Sequence, residues 1–410
     1  MFFEFFKLEI DTAIRKPMIY IFFFVMALLV FLAVVSDNVM IGGTVGNVYK
    51  NAPSVITSYV AILSIFGLLI ATAFFNTAAL KDYDNNFNEI LFSTPIQKSA
   101  YYFGRFFGAL FLSTIPLCGI FLGFLAGAEL GPKMGWISED RIGAFHAASF
   151  INNYLLFILP NMFFAGTIIF AMANKWKSTV ISFVGALVII VGYMISGTLL
   201  SDIDNETIGA LTDTFGIRAY SIDTKYFTPI EKNTIPVGFT GLLFINRIIW
   251  LAIGTLILLT SYFAFSFTNK QKKAKKKKES KKEESKNIIS SEVPSYSLTF
   301  NGSSQWKQFT SFFKINLTSM VKSTTYKIMF VFSALILILN LFNGFEYFGL
   351  QSYPVTYKMM DLIDGTSGLF VIIILVFFSG ELIWRDRASH INEVIDATPH
   401  SSFISLVAKS

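Results

Sequence analysis

KDYDNNFNEILFSTP, from Lys81 to Pro95, directly follows a long apolar run. A second stretch, RDRASHINEVIDATP from Arg385 to Pro399, aligns with it without a gap at a shift of 304 positions (385 minus 81). Five positions are identical in the two stretches: Asp82 and Asp386, Asn88 and Asn392, Glu89 and Glu393, Thr94 and Thr398, and Pro95 and Pro399. This alignment predicts an internal repeat that begins again in the second part of the chain.

Both stretches have the apolar spacing of a short amphipathic helix. Positions i, i+3 and i+4 lie on one side of a helix, so apolar residues at that spacing form one face. The three positions are Phe87, Ile90 and Leu91 in the first stretch and Ile391, Val394 and Ile395 in the second. We therefore expect each stretch to form a helical turn or two with polar residues on its other side.

The ends of these short helices are also suggested by the sequence. Asn86 precedes Glu89 by three residues, which predicts a helix start of the capping-box kind. Pro95 and Pro399 predict the two helix ends, because the residue before a proline is disfavoured in the α conformation. Each short helix is expected just outside a membrane span.

The composition is that of a membrane protein. Of 410 residues, 53% are hydrophobic and 15% are charged, whereas soluble domains have about a quarter of their residues charged. The single cysteine, Cys118, lies in an apolar run and provides no disulfide framework. The net charge of +6 is concentrated in one lysine run, so we do not expect a nucleic-acid partner.

Apolar runs divide the chain into predicted membrane spans, each of which needs about 20 residues. They lie at 17–35, 57–80, 103–127, 151–173, 178–200, 246–267, 326–344 and 364–384. We predict an all-α, polytopic helical membrane protein with six spans followed by a second, incomplete repeat of two spans. The predicted domains are a first six-span half at 1–267, a lysine-rich linker at 268–308 and the start of a second half at 309–410.

The linker indicates how the chain is oriented. It contains KQKKAKKKKESKKEESK, which cannot bury apolar surface and is expected to be flexible. By the positive-inside rule, this run places the N-terminus and both short helices in the cytoplasm. The second half stops where the first reaches Phe106, so we expect the chain to be part of a longer protein.

Two further stretches have the pattern of amphipathic helices at the membrane surface. Residues 2–16 place charged residues on one stripe and apolar residues on another: Glu4, Lys7, Asp11 and Arg15 opposite Phe3, Phe6, Ile10 and Ile14. The pattern returns at residues 311–322, at a shift of 307 positions (314 minus 7). We expect both helices to lie on the bilayer surface.

The first repeated stretch resembles the cytoplasmic segment between the second and third spans of permease subunits of type-2 ABC transporters. That family's pattern is a basic and acidic start, Glu with two aliphatic residues, a small residue, Thr or Ser, and Pro. The matching residues are Lys81-Asp82, Glu89-Ile90-Leu91, Ser93-Thr94-Pro95, Lys98 and Gly104-Arg105. The chain departs from the pattern at Phe87-Asn88, where the family often has Gly-Thr.

The resemblance implies a permease subunit of the bacterial inner (plasma) membrane, with export as the expected direction. A separate cytoplasmic ABC ATPase subunit, expected as a dimer, would bind the ATP and drive transport. The chain itself is then expected to hold no cofactor. The resemblance assigns contact with the ATPase to Asp82, Phe87, Asn88, Glu89, Ile90, Leu91, Thr94, Pro95, Asp386, Ile391, Asn392, Glu393, Val394, Thr398 and Pro399.

The loop at 201–241 resembles a different group: permease regions of long bacterial proteins that continue into a zinc aminopeptidase-like domain. The residues that carry this resemblance are Asp213 to Gly216, Thr224 to Thr234, Asn246-Arg247 and Trp250. The loop leaves open a second function, as the membrane anchor region of a larger membrane-bound zinc aminopeptidase. An ATP-independent transporter is a third alternative, although the first five predicted spans have no ionisable residue at their centres.

We expect no enzyme activity within these 410 residues. The phosphate-binding sequence G-x-x-x-x-G-K-[ST] of ATPases does not occur, nor does the zinc-binding sequence H-E-x-x-H. Two polar residues in predicted spans have more than one interpretation. Asn161, beside Pro160, marks a kink, a polar helix contact or ordinary packing. Arg247 snorkels to the interface, pairs locally or, as the less favoured alternative, contacts substrate.

Overall fold

The computed structural model describes residues 1–36, 39, 47–199, 206–267, 302–323 and, with gaps, 326–409. The chain divides into two compact units, one formed by Met1–Phe267 with Leu335–Leu362 and the other by Thr268–Ala334 with Ile363–Ser410. Phe267 is also the residue after which the sequence places the lysine-rich linker. Each unit is described below by itself.

Between Met1 and Phe267 the structure describes eleven α-helices and a short 3-10 helix, Glu139–Arg141. The α-helices are α1 Phe2–Ile14, α2 Met18–Val35, α3 Pro53–Asp84, α4 Asn88–Ser93, α5 Lys98–Lys133, α6 Ala147–Trp176, α7 Thr179–Leu199, α8 Glu206–Thr212, α9 Ile217–Asp223, α10 Pro229–Thr234 and α11 Gly241–Ala264. A π-helical turn, Tyr154–Ile158, interrupts α6 just before Pro160. A proline cannot donate the usual helical hydrogen bond, and such an irregular turn accommodates the loss.

The remaining described elements lie later in the chain. They are α12 Gly302–Lys322, α13 Thr356–Ala388 and α14 Ser402–Val407, with two short strands, β1 Glu346–Tyr347 and β2 Leu350–Gln351. The strands pair antiparallel, with Glu346 opposite Gln351 and Tyr347 opposite Leu350. Apart from this pair, the regular structure of the described residues is helical, which confirms the predicted helical class.

Five of the described helices, α2, α3, α5, α6 and α11, are long and apolar enough to cross a membrane. Each coincides with a predicted span, so the prediction of a helical membrane protein is confirmed at this level. The predicted span at 178–200 falls on α7, whose apolar part is the shorter stretch Ile181–Met194. The span predicted at 326–344 lies largely outside the described residues and that at 364–384 falls within α13, so the count of six plus two stays a prediction.

Helix α5 lies at the centre of the first unit, where it packs against α1, α2, α3 and α6. Glycines on α5 let the backbone of α2 come close, as small residues do between membrane helices. A Cβ atom on Gly123 would lie 2.5 Å from the carbonyl oxygen of Ala27, and one on Gly127 would lie 2.8 Å from the Cβ of Val34. A larger side chain at either position would therefore separate the two helices.

Aromatic side chains fill the space between α3, α5 and α6. The rings of Phe75 and Phe106 are 5.3 Å apart, and Phe106 lies 5.6 Å from Phe170, measured between centroids. Tyr102 packs on Phe170 at 5.2 Å. These side chains are almost completely buried, and inside a bilayer such van der Waals packing stabilises helix association.

Candidate functional site

The first repeated stretch is divided between the end of α3 and the short helix α4. Helix α3 continues to Asp84, and the left-handed backbone of Asn86, with φ of 55°, follows it. The predicted capping role of Asn86 is wrong, because Phe87 occupies the N-cap position of α4 and no side chain caps the helix. The end of α4 agrees with the sequence: Thr94 is extended, with ψ of 154°, directly before Pro95.

One side of α4 is exposed. Phe87 is 47% exposed and Ile90 is 64% exposed, with the exposed carboxylate of Glu89 between them in sequence. Thr94 and Pro95, which follow the helix, are exposed as well. This exposed surface, which we call the α4 edge, consists of Phe87, Glu89, Ile90, Thr94 and Pro95.

The other side of α4 packs against the protein. The Phe92 ring lies 5.4 Å from the ring of Tyr101 and 4.7 Å from that of Phe267, measured between centroids. Leu91 also packs against the core, and Asn88 is buried. The predicted apolar face is therefore divided, because Leu91 holds the helix in place while its two predicted companions are exposed.

Asp82 is buried within a group of charged side chains. The guanidinium of Arg105 donates to Asp82 Oδ2 at 2.6 Å, and the Tyr101 hydroxyl donates to the same oxygen at 2.8 Å. Arg105 also donates to Glu9 Oε1, and Lys81 Nζ lies 2.8 Å from that oxygen. These five residues, called the Arg105 cluster, join α1, α3 and α5.

Three charged side chains of the Arg105 cluster are buried. Arg105 is 1% exposed, Glu9 is 4% exposed and Asp82 is 5% exposed. Buried charges are tolerated when they are paired and hydrogen-bonded, and removing one partner typically costs about 3–5 kcal/mol. The cluster therefore fixes three helices to one another immediately before α4 begins.

Two glycines bring α1 against α5 and so place Glu9 beside Arg105. A Cβ atom on Gly104 would lie 2.7 Å from the Cβ of Phe5, and one on Gly108 would lie 2.7 Å from the Cβ of Glu9. The guanidinium carbon of Arg105 also lies 5.9 Å from the centre of the Phe5 ring, within cation–π distance. The glycine spacing of four residues thus shapes the surface on which α1 rests.

The sequence interpretation assigned Asp82 and Asn88 to partner contact; both residues are buried in this structure, and their contact with a partner stays a prediction. The Asp82 carboxylate is occupied by Arg105 and Tyr101, and the Asn88 side chain is enclosed, so neither belongs to the α4 edge. The role of Glu9 was missed. Its signal in the sequence is an acidic residue on the apolar side of an amphipathic helix, which requires a buried partner.

The second repeated stretch is described in part. Ile391 is 49% exposed, and Glu393 is also exposed. Asp386 is partly buried rather than presented to solvent. Four other predicted contact residues lie outside the described part of the chain: Asn392, Val394, Thr398 and Pro399.

Charged and polar side chains also meet in the second unit. Lys409 donates to Asp386, and Arg385 donates to Asn316 Oδ1 at 2.9 Å and to Ser319 Oγ at 2.7 Å. We call these five residues the Arg385 cluster. Asn316 belongs to α12 and is 7% exposed, so the cluster joins α12 to the end of α13.

The two clusters correspond by position. Asp386 and Lys409 stand 304 positions after Asp82 and Arg105, and both pairs are bonded. Arg385 stands 304 positions after Lys81, and Asn316 stands 307 positions after Glu9. These are the two shifts at which the sequence aligns with itself, and two contacts, Asp82–Arg105 and Lys81–Glu9, have counterparts at the shifted positions among the described residues.

A second buried arginine lies in α11. Arg247 is 2% exposed and donates to Asn161 Oδ1 at 2.6 Å and to Asn246 Oδ1 at 3.0 Å. Asn161 in turn donates to Ser64 Oγ of α3 at 2.8 Å. Of the alternatives left open by the sequence, Arg247 pairs locally and Asn161 makes a polar contact between helices.

The same network holds the short helices α8 and α9. The Asn246 amide donates to the carbonyl oxygens of Ala210 at 2.7 Å and Asp213 at 2.9 Å. The Asp213 carboxylate accepts from the backbone N–H groups of Phe215 at 2.9 Å and Arg218 at 2.7 Å. The part of the 201–241 loop that the structure describes is thus folded onto the spans.

Within the described residues, no three His, Cys, Asp or Glu side chains are grouped so that they can hold a metal ion. Comparisons with protein-family models and with curated proteins found no match to this chain. Inferences about its function therefore rest on the arrangement of its own residues.

Proposed function

We propose that this chain is a membrane-spanning permease subunit of an ABC transporter in the bacterial inner membrane. In this function α4 serves as a coupling helix, and a separate cytoplasmic ATPase binds and hydrolyses ATP. The observation that carries the proposal is the two-sided character of α4, which is exposed at the α4 edge and fixed to the spans on its other side.

The exposed side suits a partner that offers a groove. A short helix that presents Phe87 and Ile90 buries them in such a groove, as amphipathic helices do in many complexes. Glu89, between them, selects a partner with basic residues at the rim of the groove and fixes the orientation of docking. The contact area is small, so the affinity depends on these few side chains.

The buried side suits the transfer of force. Phe92 packs on Tyr101 of α5, and the Arg105 cluster holds α1, α3 and α5 together next to α4. Because charged groups in this cluster cannot separate without being left unpaired, the three helices move as one body. A displacement of α4 by the ATPase therefore tilts two spans and the amphipathic helix α1 together.

The second repeated stretch supplies the second coupling element of this proposal. Ile391 and Glu393 are exposed, at positions equivalent to Phe87 and Glu89. A dimeric ATPase presents two equivalent grooves, so it requires two such elements on the permease side.

Purification of the native full chain from membranes tests the proposal. An Ile90→Asp variant places a charge in the proposed groove, so we expect the ATP hydrolysis that copurifies with it to fall at least about tenfold. Ile230→Asp is the matched control, because Ile230 is 75% exposed and lies in α10, away from α4. The control should retain the ATPase.

The measured quantities are the ATP hydrolysis of the purified sample and the amount of permease in the membrane. Equal hydrolysis in the parent, Ile90→Asp and Ile230→Asp proteins would contradict the assignment of α4. Absence of ATP hydrolysis from every sample would instead contradict the dependence on an ATPase.

A further inference from the structure

The Arg105 cluster is balanced in charge. The carboxylates of Glu9 and Asp82 face the cations of Lys81 and Arg105, and Glu9 Oε1 accepts from both cations. With two negative and two positive groups, no external ion is needed to complete it. This balance is consistent with its burial.

The Arg385 cluster has one carboxylate fewer. Among its five residues, Asp386 pairs with Lys409, Arg385 bonds to neutral side chains, and Asn316 stands at the position that corresponds to Glu9. Among the residues that the structure describes, the recorded hydrogen-bond partners of Arg385 are Ser319 and Asn316, and both are neutral. A guanidinium in such surroundings favours the approach of an anion.

Helix α12 carries the same excess of positive charge. Lys307, Lys314 and Lys322 are its ionisable residues, and it contains no acidic residue. The equivalent helix α1 contains three acidic residues and one lysine. The two amphipathic helices therefore differ in sign, although both precede a predicted span.

A row of apolar side chains on α12 is exposed. Trp306 is 66% exposed, Phe313 is 47% exposed, and Leu317 and Val321 are each 44% exposed. Their spacing of seven, four and four residues places them on one side of the helix. An apolar row bordered by lysines is the pattern of a helix that lies in the interface of an anionic membrane.

We propose that the Arg385 cluster binds the phosphate of an anionic phospholipid, which supplies the negative charge that the Glu9 carboxylate supplies in the first cluster. Arg385 supplies a planar guanidinium that is suited to phosphate oxygens, and Lys409 supplies a second positive charge. The apolar row of α12 enters the acyl region beside the bound headgroup. This inference concerns lipid recognition and does not depend on an ATPase partner.

Asn316→Glu tests this site because it restores the missing carboxylate inside the chain. The full-length protein is examined by native mass spectrometry after incubation with phosphatidylglycerol or with phosphatidylcholine. We expect the parent protein to retain phosphatidylglycerol in preference, and Asn316→Glu to lose this preference by about fivefold, as expected for cancelling one charge near the membrane surface. The lysine-rich linker is unchanged in all variants, so its own attraction for anionic lipid contributes equally to each of them and cancels when variants are compared.

Two matched variants separate the site from general charge effects. Asn316→Gln keeps a neutral side chain at this position and should retain the preference for phosphatidylglycerol. Gln305→Glu adds the same negative charge at an exposed position of α12, and its effect should be smaller than that of Asn316→Glu. If Asn316→Glu fails to fold, Arg385→Gln provides the second test, because it removes the guanidinium of the cluster. It should reduce phosphatidylglycerol retention more than Lys314→Gln, which removes one positive charge from an exposed position of α12.

Several results would overturn the proposal. Equal retention of phosphatidylglycerol and phosphatidylcholine by the parent protein would do so. An equal loss of phosphatidylglycerol retention in Asn316→Glu and Gln305→Glu would show that the effect is one of general charge and not of the Arg385 cluster. Binding of inorganic phosphate with no preference for phosphatidylglycerol would identify a free-anion site instead of a lipid site.

Discussion

Arg105 and Arg247 are both buried arginines, but they lie at opposite ends of the helices in the first unit. Lys98, at the start of α5, approaches the carbonyl oxygen of Phe263 near the end of α11, whereas Arg247 lies near the beginning of α11. Arg105 pairs with two carboxylates, while Arg247 bonds to the amide oxygens of asparagines. Opposite charges therefore hold the Arg105 cluster together, whereas hydrogen bonds to amide oxygens hold the network around Arg247.

The comparison indicates which end of the molecule resists opening. Separating the helices around Arg105 leaves both a cation and carboxylates unpaired, which is costly in a low dielectric. Around Arg247 the hydrogen-bonded side chains are neutral amides, and the nearby Asp213 carboxylate has its own backbone N–H donors, so separating the helices there leaves fewer charged groups without a partner. We infer that the end bearing α4 moves as a unit and that the end bearing α8 and α9 is easier to rearrange.

The largest expected effect comes from breaking the charge balance at Arg105. Arg105→Met leaves Glu9 and Asp82 buried without their shared cation, so the free energy of unfolding should fall by about 3–5 kcal/mol. Denaturant unfolding of the purified protein in detergent measures this change. Combining Arg105→Met with Asp82→Asn keeps the Glu9–Lys81 pair and leaves no unpaired charge, so it should recover most of the loss. No recovery would contradict the charge-based account.

A smaller effect is expected at Arg247. Arg247→Met leaves the oxygen atoms of Asn161 and Asn246 without their donor and removes the cation near the buried Asp213 carboxylate. Asp213 keeps its two backbone N–H donors, so we expect a loss of about 1–3 kcal/mol. The same unfolding measurement compares it directly with Arg105→Met. A larger loss of unfolding free energy in Arg247→Met than in Arg105→Met would contradict the expected order of the two ends.

The smallest effect concerns pH and the helix α10. Glu231 accepts hydrogen bonds from the backbone and side chain of Thr228, and these bonds lower the pKa of its carboxyl below the ordinary value. A lowered pKa means that the contribution to stability is present above the unfolded-state pKa and is lost as pH falls through the folded-state pKa. Protection of the Thr228 amide against hydrogen exchange, measured relative to its intrinsic rate at each pH, should therefore decrease in acid, and Glu231→Gln should remove that pH dependence.

Much of the helical architecture follows from the sequence. Long apolar runs predicted the five membrane-compatible helices, because the backbone of a span must satisfy its own hydrogen bonds. The continuation of α3 to Asp84 was not predicted, since charged residues after position 80 indicate the end of a span without indicating the end of a helix. The Thr228 to Glu231 capping box of α10 was visible in the sequence as Thr-Pro-Ile-Glu but was not used.

The candidate site was harder to predict. The α4 edge follows from apolar spacing and from Pro95, both of which are local signals. The Arg105 cluster joins residues up to 96 positions apart, and nothing local identifies Arg105 as the partner of Glu9. The division of the apolar residues of α4, with Leu91 inward and Ile90 outward, depends on the position of Phe92 against other helices.

The contact between Phe92 and Phe267 has a mechanical consequence. Phe267 is the residue at which the chain leaves the first unit for the lysine-rich linker, and its ring is 4.7 Å from that of Phe92 in centroid distance. The residue that directly precedes the linker sequence thus packs against the same helix that we propose the ATPase contacts. A displacement of α4 would consequently be felt first at the residue from which the linker sequence starts.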